Sequence, residues 1–386
     1  MTDLSTTLCG IALRTPLVLA SGPLSFDGDA LARAHRAGAG AVVTKTIRRS
    51  AARNPVPHIA RERGGLLNTE RWSDLPPDRW IGREIPRARQ AGAVVIASVG
   101  LTSDDVRALA QPLAEAGACA LEIVSYDGAA TPGMVEEACA RVSVPVFAKV
   151  SVNGPNVVDA ARACLASGAA AITAIDSVGP VLRFDLASRR PRLGGYGWLS
   201  GRPILPIALR AVADIARATG CVLVGTGGVE TADDAVEMLY AGAHAVGVCT
   251  APLVRGVSLF GDLARDLAAR LSALGYASPD EAVGAGLPGL PSADGFPEER
   301  RGDRGWRFVW TRESCTDCGI CVRVCPYGAR RTAEEVVDAA CRGCGLCSSS
   351  CPTGSLLLRG DGSLLWQRRG VPPVAEGGGL WGEETR

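Results

Sequence analysis

The chain has 386 residues, 47% of them apolar and 21% charged, with 41 basic side chains against 40 acidic ones. It can therefore bury a large core, and without a charge excess of either sign it lacks a long-range attraction for nucleic acid or an anionic membrane surface. At about 150 residues per domain the length fits two or three domains, or one barrel of about 250 residues with an appendage. No basic n-region opens the sequence and no apolar run reaches the ~18 residues that span a bilayer, so a cytoplasmic protein is expected.

From Leu17 to about Leu274 a short apolar strand, a turn and an amphipathic helix follow one another repeatedly. The expected strands are Leu17–Ser21, Ala41–Lys45, Val94–Val99, Ala120–Val124, Val146–Val150, Ala171–Ala174, Val222–Gly225 and Ala245–Val248. Helices are expected between them, for example at Ser103–Ala116, Val157–Ser167, Ile204–Ala218 and Thr231–Ala241, and several run into "AGA" or "SGA", where Gly ends the helix. Strands this apolar and unalternating are covered on both faces, and their alternation with helices requires parallel, right-handed crossovers. Eight such units make a (β/α)8 barrel with its site at the C-terminal strand ends; an open doubly wound sheet is the alternative. A hairpin suggested by Leu4–Leu8 and Ile11–Leu13 would plug the bottom and favours the barrel.

On this reading residues 1–275 form the barrel and the Gly/Pro-rich stretch 276–309 is a linker. Residues 310–360 form a cysteine module, and 361–386 a flexible tail. Of the 14 cysteines, eight lie between Cys315 and Cys351, as "CTDCGICVRVCP" and "CRGCGLCSSSCP". These are two copies of C-x2-C-x2-C-x3-C-P, the spacing of a bacterial ferredoxin, in which the fourth Cys of each run ligates the other cluster. Cys315, Cys318, Cys321 and Cys351 are then expected to bind one 4Fe-4S cluster, and Cys341, Cys344, Cys347 and Cys325 the second. Zinc is the alternative, but it has no use for a third evenly spaced thiol or the Pro. The single cysteines Cys9, Cys119, Cys139, Cys164, Cys221 and Cys249 read as small apolar packing residues.

Clusters move single electrons, so the barrel should hold an acceptor, and a flavin converts one-electron input into two-electron chemistry. Its phosphate would suit the ends of the last two strands, where "GTGGVET" offers Gly225, Gly227 and Gly228, and "CTA" offers Cys249, Thr250 and Ala251. Only two of the 41 basic residues are lysines, Lys45 and Lys149, and both fall at expected strand ends on the catalytic rim. A compact ammonium there would stabilise negative charge on a reduced flavin.

The segments "ASGP" (Ala20, Ser21, Gly22, Pro23), "VVTKT" around Lys45 and Thr46, "FAKV" around Lys149, "LSG" (Leu199, Ser200, Gly201), "GTGGVET" and "VCTA" together resemble the FMN-binding barrel of the dihydroorotate dehydrogenases. Barrel plus two-cluster module is similar to the iron–sulfur subunit of bacterial dihydropyrimidine dehydrogenases, which works with a separate FAD/NAD(P)H subunit. The resemblance spans roughly residues 5–275 and 310–358. It implies FMN, a CH–CH oxidoreductase acting on a small ring, an electron-donor flavoprotein or ferredoxin as partner, and a homo- or hetero-oligomer. Ala20, Ser21, Gly22, Lys45, Thr46, Lys149, Asp176, Ser200, Gly201, Gly227, Gly228, Cys249 and Thr250 would hold the cofactor.

The resemblance fails where substrate is handled. An Asn-x-Ser-Cys-Pro segment after strand four is replaced by Val124-Ser125-Tyr126-Asp127-Gly128 in a shorter loop, and an Asn-Thr pair after strand six by Asp176-Ser177. Asp127 aligns with the acid Cys and Tyr126 is its neighbour, so both are candidate proton donors beside Lys149. Asn68, Ser177 and His58, the last flanked by Arg61 and Arg63, are candidate substrate contacts, whereas His35 and His244 read as packing. A carboxylate at Asp176 facing ring carbonyls is expected to be left unpaired or to repel, so turnover of dihydroorotate, uracil or thymine is expected to be poor. The other readings are a reductase for a different ring and an electron-transfer subunit whose barrel makes no product.

Overall fold

The computed structural model describes residues 2–154, 156–291, 306–360 and 363–366. They fall into two compact units, Met1–Ala293 and Asp294–Arg386.

The first unit is a closed barrel of eight parallel strands in sequence order: β1 (Leu17–Leu19), β2 (Ala41–Val43), β3 (Val95–Val99), β4 (Ala120–Ile123), β5 (Val146–Val150), β6 (Ala171–Ala174), β7 (Leu223–Thr226) and β8 (Ala245–Val248). All strand residues are buried except Lys149, as expected for strands covered on both faces. The outer ring contains α1 (Gly28–Ala37), α2 (Ile85–Gln90), α3 (Ser103–Glu115), α4 (Thr131–Cys139), α5 (Val157–Ala166), α6 (Leu205–Thr219), α7 (Ala232–Tyr240) and α8 (Leu259–Ala273). Polar side chains start several of them: Thr102 caps α3, Asn156 caps α5, and Thr231 with Asp234 makes a capping box on α7. Helix ends repeat as well. Gly38, Gly92, Gly117, Gly168 and Gly242 each follow a helix with a φ between +85° and +130°, a conformation open to Gly and strained for other residues.

The N-terminal hairpin pairs Thr6–Leu8 with Ile11–Leu13, and Leu8 and Leu13 pack against Val18, Val43, Ile96, Phe147 and Val224 at the barrel bottom. It is the expected plug.

Two long βα loops cover the opposite end. Ile59–Glu62 and Gly65–Asn68 from the loop after β2 join Gly197–Gly201 and Val178–Val181 from the loop after β6 in one four-stranded antiparallel sheet. Its central register sets Trp198 opposite Asn68 and Ser200 opposite Leu66.

The linker expected at 276–309 is corrected in its first half. Ala282 is fully buried, Leu287 packs on the core, Thr6 donates to Asp280 at 2.6 Å, and Gly284 N–H donates to Leu239 O at 2.8 Å. This stretch therefore straps the barrel; Gly and Pro here serve tight turns rather than a free tether.

In the second unit Trp306–Trp310, Leu356–Gly360 and Ser363–Trp366 form an antiparallel sheet, so the module begins before residue 310. Ser363–Trp366 is a strand where a tail was expected; the rest of that expected tail lies outside the described residues. Each cysteine run turns into a one-turn helix, Ile320–Arg323 or Leu346–Ser349. Gly319 and Gly345 precede these helices in the left-handed region, and Asp317 and Gly343 share it one step before the second Cys of each run. The sequence repeat is thus a repeat of backbone geometry.

Candidate functional site

A cavity of about 840 Å³ opens at the C-terminal ends of the barrel strands. Of the residues outside the cysteine module expected at the site, all but His58, Gly225 and Ala251 line it: from Ala20, Ser21 and Gly22 through Lys45, Thr46, Asn68, Tyr126, Asp127 and Lys149 to Asp176, Ser177, Ser200, Gly201, Gly227, Gly228, Cys249 and Thr250. The expectation for His58 is corrected. It does not line the cavity: its Nδ1 lies 2.9 Å from Pro55 O just before the outer strand of the capping sheet, and Arg61 and Arg63 further along are exposed. Gly225 is also away from the cavity, its face packed on Ala243 and Met238.

The two lysines sit on opposite flanks. Lys45, just past β2, pairs with Glu70 at 2.6 Å, and both side chains are 12% exposed. Lys149 on β5 pairs with Asp176 at 3.3 Å. Burial opposes the Lys149 ammonium, but the Asp176 charge and its hydrogen bond outweigh it and hold the group above the ordinary lysine range. Glu122 lies inside the barrel on β4, where Thr173 donates to its Oε2 at 3.0 Å and Oε1 is buried without a partner. Burial pushes its carboxyl up, so the protonated form is favoured beneath the lysine. Asp176 is therefore not the unpaired carboxylate expected from sequence: Lys149 and the Ser177 N–H, at 2.8 Å, both meet its Oδ1.

At the ends of β7 and β8 the backbone itself lines the cavity. A Cβ on Gly201 would stand 2.8 Å from Gly65 Cα, one on Gly228 2.9 Å from Gly201 O, and one on Gly22 2.5 Å from Cys249 Sγ. Gly228 also has a φ of +81°. Around this side-chain-free strip lie Ser200, Thr250, which donates to it at 2.8 Å, and Thr226, whose Oγ1 is buried without a partner. Bare backbone, an idle hydroxyl and a paired ammonium nearby are a donor set that fits a phosphorylated, electron-accepting cofactor such as FMN. Cys249 is a half-buried thiol there, pushed up by desolvation to about 11, so it contributes shape rather than charge at neutral pH.

The other half of the cavity is bounded by the loops after β4, β5 and β6. Val124 is buried, and Ser125 donates to Leu101 O at 3.1 Å. Asp127 Oδ1 accepts from the Ala129 N–H at 3.0 Å, which makes it the turn residue of its own loop. Tyr126 stacks on Trp198, with ring centroids 5.7 Å apart and planes 18° apart. Asn153 bridges the β5 and β6 loops, donating to Ser177 O at 2.9 Å and accepting from Gly179 N–H at 2.8 Å. Sequence reading missed Glu70, Arg71, Trp72, Glu122, Asn153, Trp198 and Thr226. For Glu122 a signal existed: a charge inside the apolar run "ALEIV" is either paired or functional. His35 and His244 are packing residues as expected; burial lowers both, and His244 Nδ1 accepts from Leu223 N–H at 3.3 Å.

In the second unit the cysteines gather in two sets. Cys315, Cys318, Cys321 and Cys351 line one cavity of about 250 Å³. Cys325, Cys341, Cys344 and Cys347 line another, together with Arg330 and Phe308. Each set takes three thiols from one run and the last thiol from the other. Among the described residues no three or more His, Cys, Asp or Glu side chains close on a single ion, as a zinc tetrahedron would require. Thiols spread around a cavity fit a multi-iron cluster, in which each ligates a different iron.

No helix among the described residues is long and apolar enough to cross a membrane. The family model described as dihydroorotate dehydrogenase matches residues 3–271, and two described as 4Fe-4S binding domain match 308–331 and 338–354. The chain is 34% identical over 299 residues to the catalytic subunit of dihydroorotate dehydrogenase B (NAD(+)) of Methanothermobacter thermautotrophicus, covering 73% of this chain and 97% of that one. It is 35% identical over 303 residues to the same subunit of Pyrococcus abyssi, covering 74% and 99%, and 32% identical over 271 residues to that of Bacillus cereus strain B4264, covering 66% and 87%. With a barrel, a rim cavity and this similarity in agreement, the chain belongs to the dihydroorotate dehydrogenase family of oxidoreductases acting on CH–CH groups, and carries two 4Fe-4S binding motifs later in its sequence.

Proposed function

We propose that this protein is an FMN- and iron–sulfur-dependent oxidoreductase that reduces, or oxidises, a C–C bond of a small ring substrate. The observation carrying this reading is the rim cavity, where two paired lysines, a glycine-lined strip and open hydroxyls converge. When bound, FMN couples one-electron delivery to two-electron exchange with a C–C bond. Gly201, Gly227, Gly228 and Thr250 would hold its phosphate with backbone and hydroxyl donors, with Ala20, Ser21, Gly22, Thr46, Ser200, Asp176 and Cys249 around the rest. Lys149 and Lys45 place positive charge on the cavity lining, where Asp176 and Glu70 orient them. Tyr126 supplies the proton: its hydroxyl has no protein partner among the described residues, whereas Asp127 is engaged in its loop. Asn68 and Ser177 border the ring side.

The cysteine sets Cys315, Cys318, Cys321, Cys351 and Cys341, Cys344, Cys347, Cys325 would each hold a 4Fe-4S cluster that passes electrons to or from the barrel. Their donor is a separate flavoprotein or ferredoxin. An FAD/NAD(P)H subunit is favoured, because the relatives are named as the catalytic subunit of an NAD(+)-linked enzyme. Anaerobic purification followed by iron and flavin analysis tests this: about eight iron atoms and one FMN per chain are expected. Photoreduction and a screen of oxidised rings should then give reoxidation with stoichiometric product. A colourless protein with two zinc ions would overturn the reading.

A further inference from the structure

The ring side of the cavity has an unusual balance between aromatic surface and polar groups that are already engaged. Tyr126 and Trp198, from two different loops, stack on one another and line the cavity together with the buried Val124 and Ile175. Around it the hydrogen-bonding groups close on the protein. Ser125 bonds Leu101 O and the Asp127 N–H, each at 3.1 Å, and Asp127 bonds the Ala129 N–H. Asp176 bonds the Ser177 N–H and Lys149. Asn153, whose carboxamide could pair with both a donor and an acceptor of a ring, uses its two ends on Ser177 O and Gly179 N–H. Asn68 donates to Trp198 O at 3.4 Å.

We propose that the cavity takes an uncharged, flat, conjugated carbonyl compound without the adjacent N–H and C=O groups of a pyrimidine edge, held by its face against Tyr126 and Trp198. This rests on the reading of the cavity as a redox site. A ring bearing several N–H and C=O groups would leave some of them unpaired against Val124 and Ile175, which offer neither donor nor acceptor, and this costs affinity. A compound with one carbonyl needs only one donor, and the Ser177 hydroxyl, which lines the cavity, has no protein partner among the described residues. Charge points the same way. The lining contains Lys45, Lys149 and Arg71 against Glu70, Asp127, Asp159 and Asp176; both lysines are paired, and Arg71 is exposed. No buried cation is left to receive a substrate carboxylate. A flat π-face, by contrast, finds a matching surface in the aromatic pair.

The test is calorimetric titration of the holoenzyme with coumarin, uracil and orotate as probes, with flavin and iron content measured on the same preparation. Coumarin is flat and uncharged and has a C=C bond conjugated to its carbonyl. It should bind at least tenfold more tightly than uracil or orotate. Tyr126→Ser should weaken coumarin at least tenfold, while Tyr126→Phe, which keeps the ring and loses the hydroxyl, should stay within about threefold of the wild type. Melting curves would confirm that both variants are folded, which the loop position of Tyr126 favours. Tighter binding of orotate or uracil, no binding of coumarin to flavin-replete protein, or an unchanged affinity in Tyr126→Ser would overturn the proposal. A preparation without flavin would overturn the redox reading, and this proposal with it.

Discussion

Glu122 and Tyr126 are the two residues whose chemistry is most open to measurement. Glu122 is buried with one carboxylate oxygen unpaired, and burial raises its carboxyl, so the folded state holds a proton that the unfolded state releases above about pH 4.3. Its contribution to stability is complete below that value and is lost as pH rises towards the raised folded value. Glu122→Gln removes the effect while keeping the bond from Thr173. The stability of the variant relative to wild type should therefore grow with pH from about 5 upwards, by about 1–3 kcal/mol in all, as read by denaturant melts across the range. A constant difference would mean that Glu122 does not titrate there. Lys149 adds nothing to this slope, because its raised value keeps it charged in both states until well above neutral pH. For Tyr126 the measurement is kinetic. Tyr126→Phe should lower steady-state turnover about a hundredfold or more while the cofactor is reduced through the clusters at the wild-type rate, since only substrate protonation needs the hydroxyl. Equal turnover would return the proton to Asp127 or to water.

Among the elements, the barrel strands are legible in the sequence because they are apolar on both faces, and the helix ends because Gly38, Gly117 and Gly168 punctuate them. The capping sheet is not legible. Asn68 and Trp198 are 130 residues apart and become neighbours only once the barrel brings the loops after β2 and β6 to one rim. The partners of the two lysines are hidden for the same reason: pairing Lys45 with Glu70 requires the return path of a loop. The cysteine runs are the opposite case, since three ligands on one tight loop leave a local signature. Arg330, between the runs, has none. It is 4% exposed, lies 4.7 Å from the Phe308 ring, donates to Ala333 O at 2.7 Å, and keeps Nη2 buried with no hydrogen bond. It lines the cavity of Cys325, Cys341, Cys344 and Cys347, where a buried cation favours the more negative, reduced form of a cluster. Arg330→Gln should shift that cluster's reduction equilibrium at least tenfold towards the oxidised form, about 59 mV for one electron, in a potentiometric titration followed by electron paramagnetic resonance. Unchanged potentials in a variant with intact signals would show that the charge is screened.

For the molecule as a whole, the architecture and the glycine-lined half of the cavity follow from sequence, and the half bounded by the loops after β4, β5 and β6 does not. Gly201, Gly228 and Thr250 lie where backbone geometry dictates, whereas Tyr126 acquires its meaning from Trp198, a residue outside every motif. The capping sheet also has a kinetic side. Because one half of the sheet comes from the loop after β2 and the other from the loop after β6, the two loops are joined at its central pair; parting them means breaking the ladder between Gly65–Asn68 and Gly197–Gly201. The β4 and β5 loops carry no such ladder among the described residues. If this roof stays shut, ligand traffic is expected past the loops after β4 and β5, whose Gly128, Ala129 and Gly154 line the cavity. Hydrogen–deuterium exchange should show this as a contrast: slow amides at Leu66 and Ser200, fast ones at Tyr126–Ala129. Comparable exchange in both places would mean that the roof lifts. If it stays shut, long substituents on the ring are tolerated only where they point out through that side door, and the enzyme sorts its substrates by the direction of their tails as well as by the chemistry of their rings.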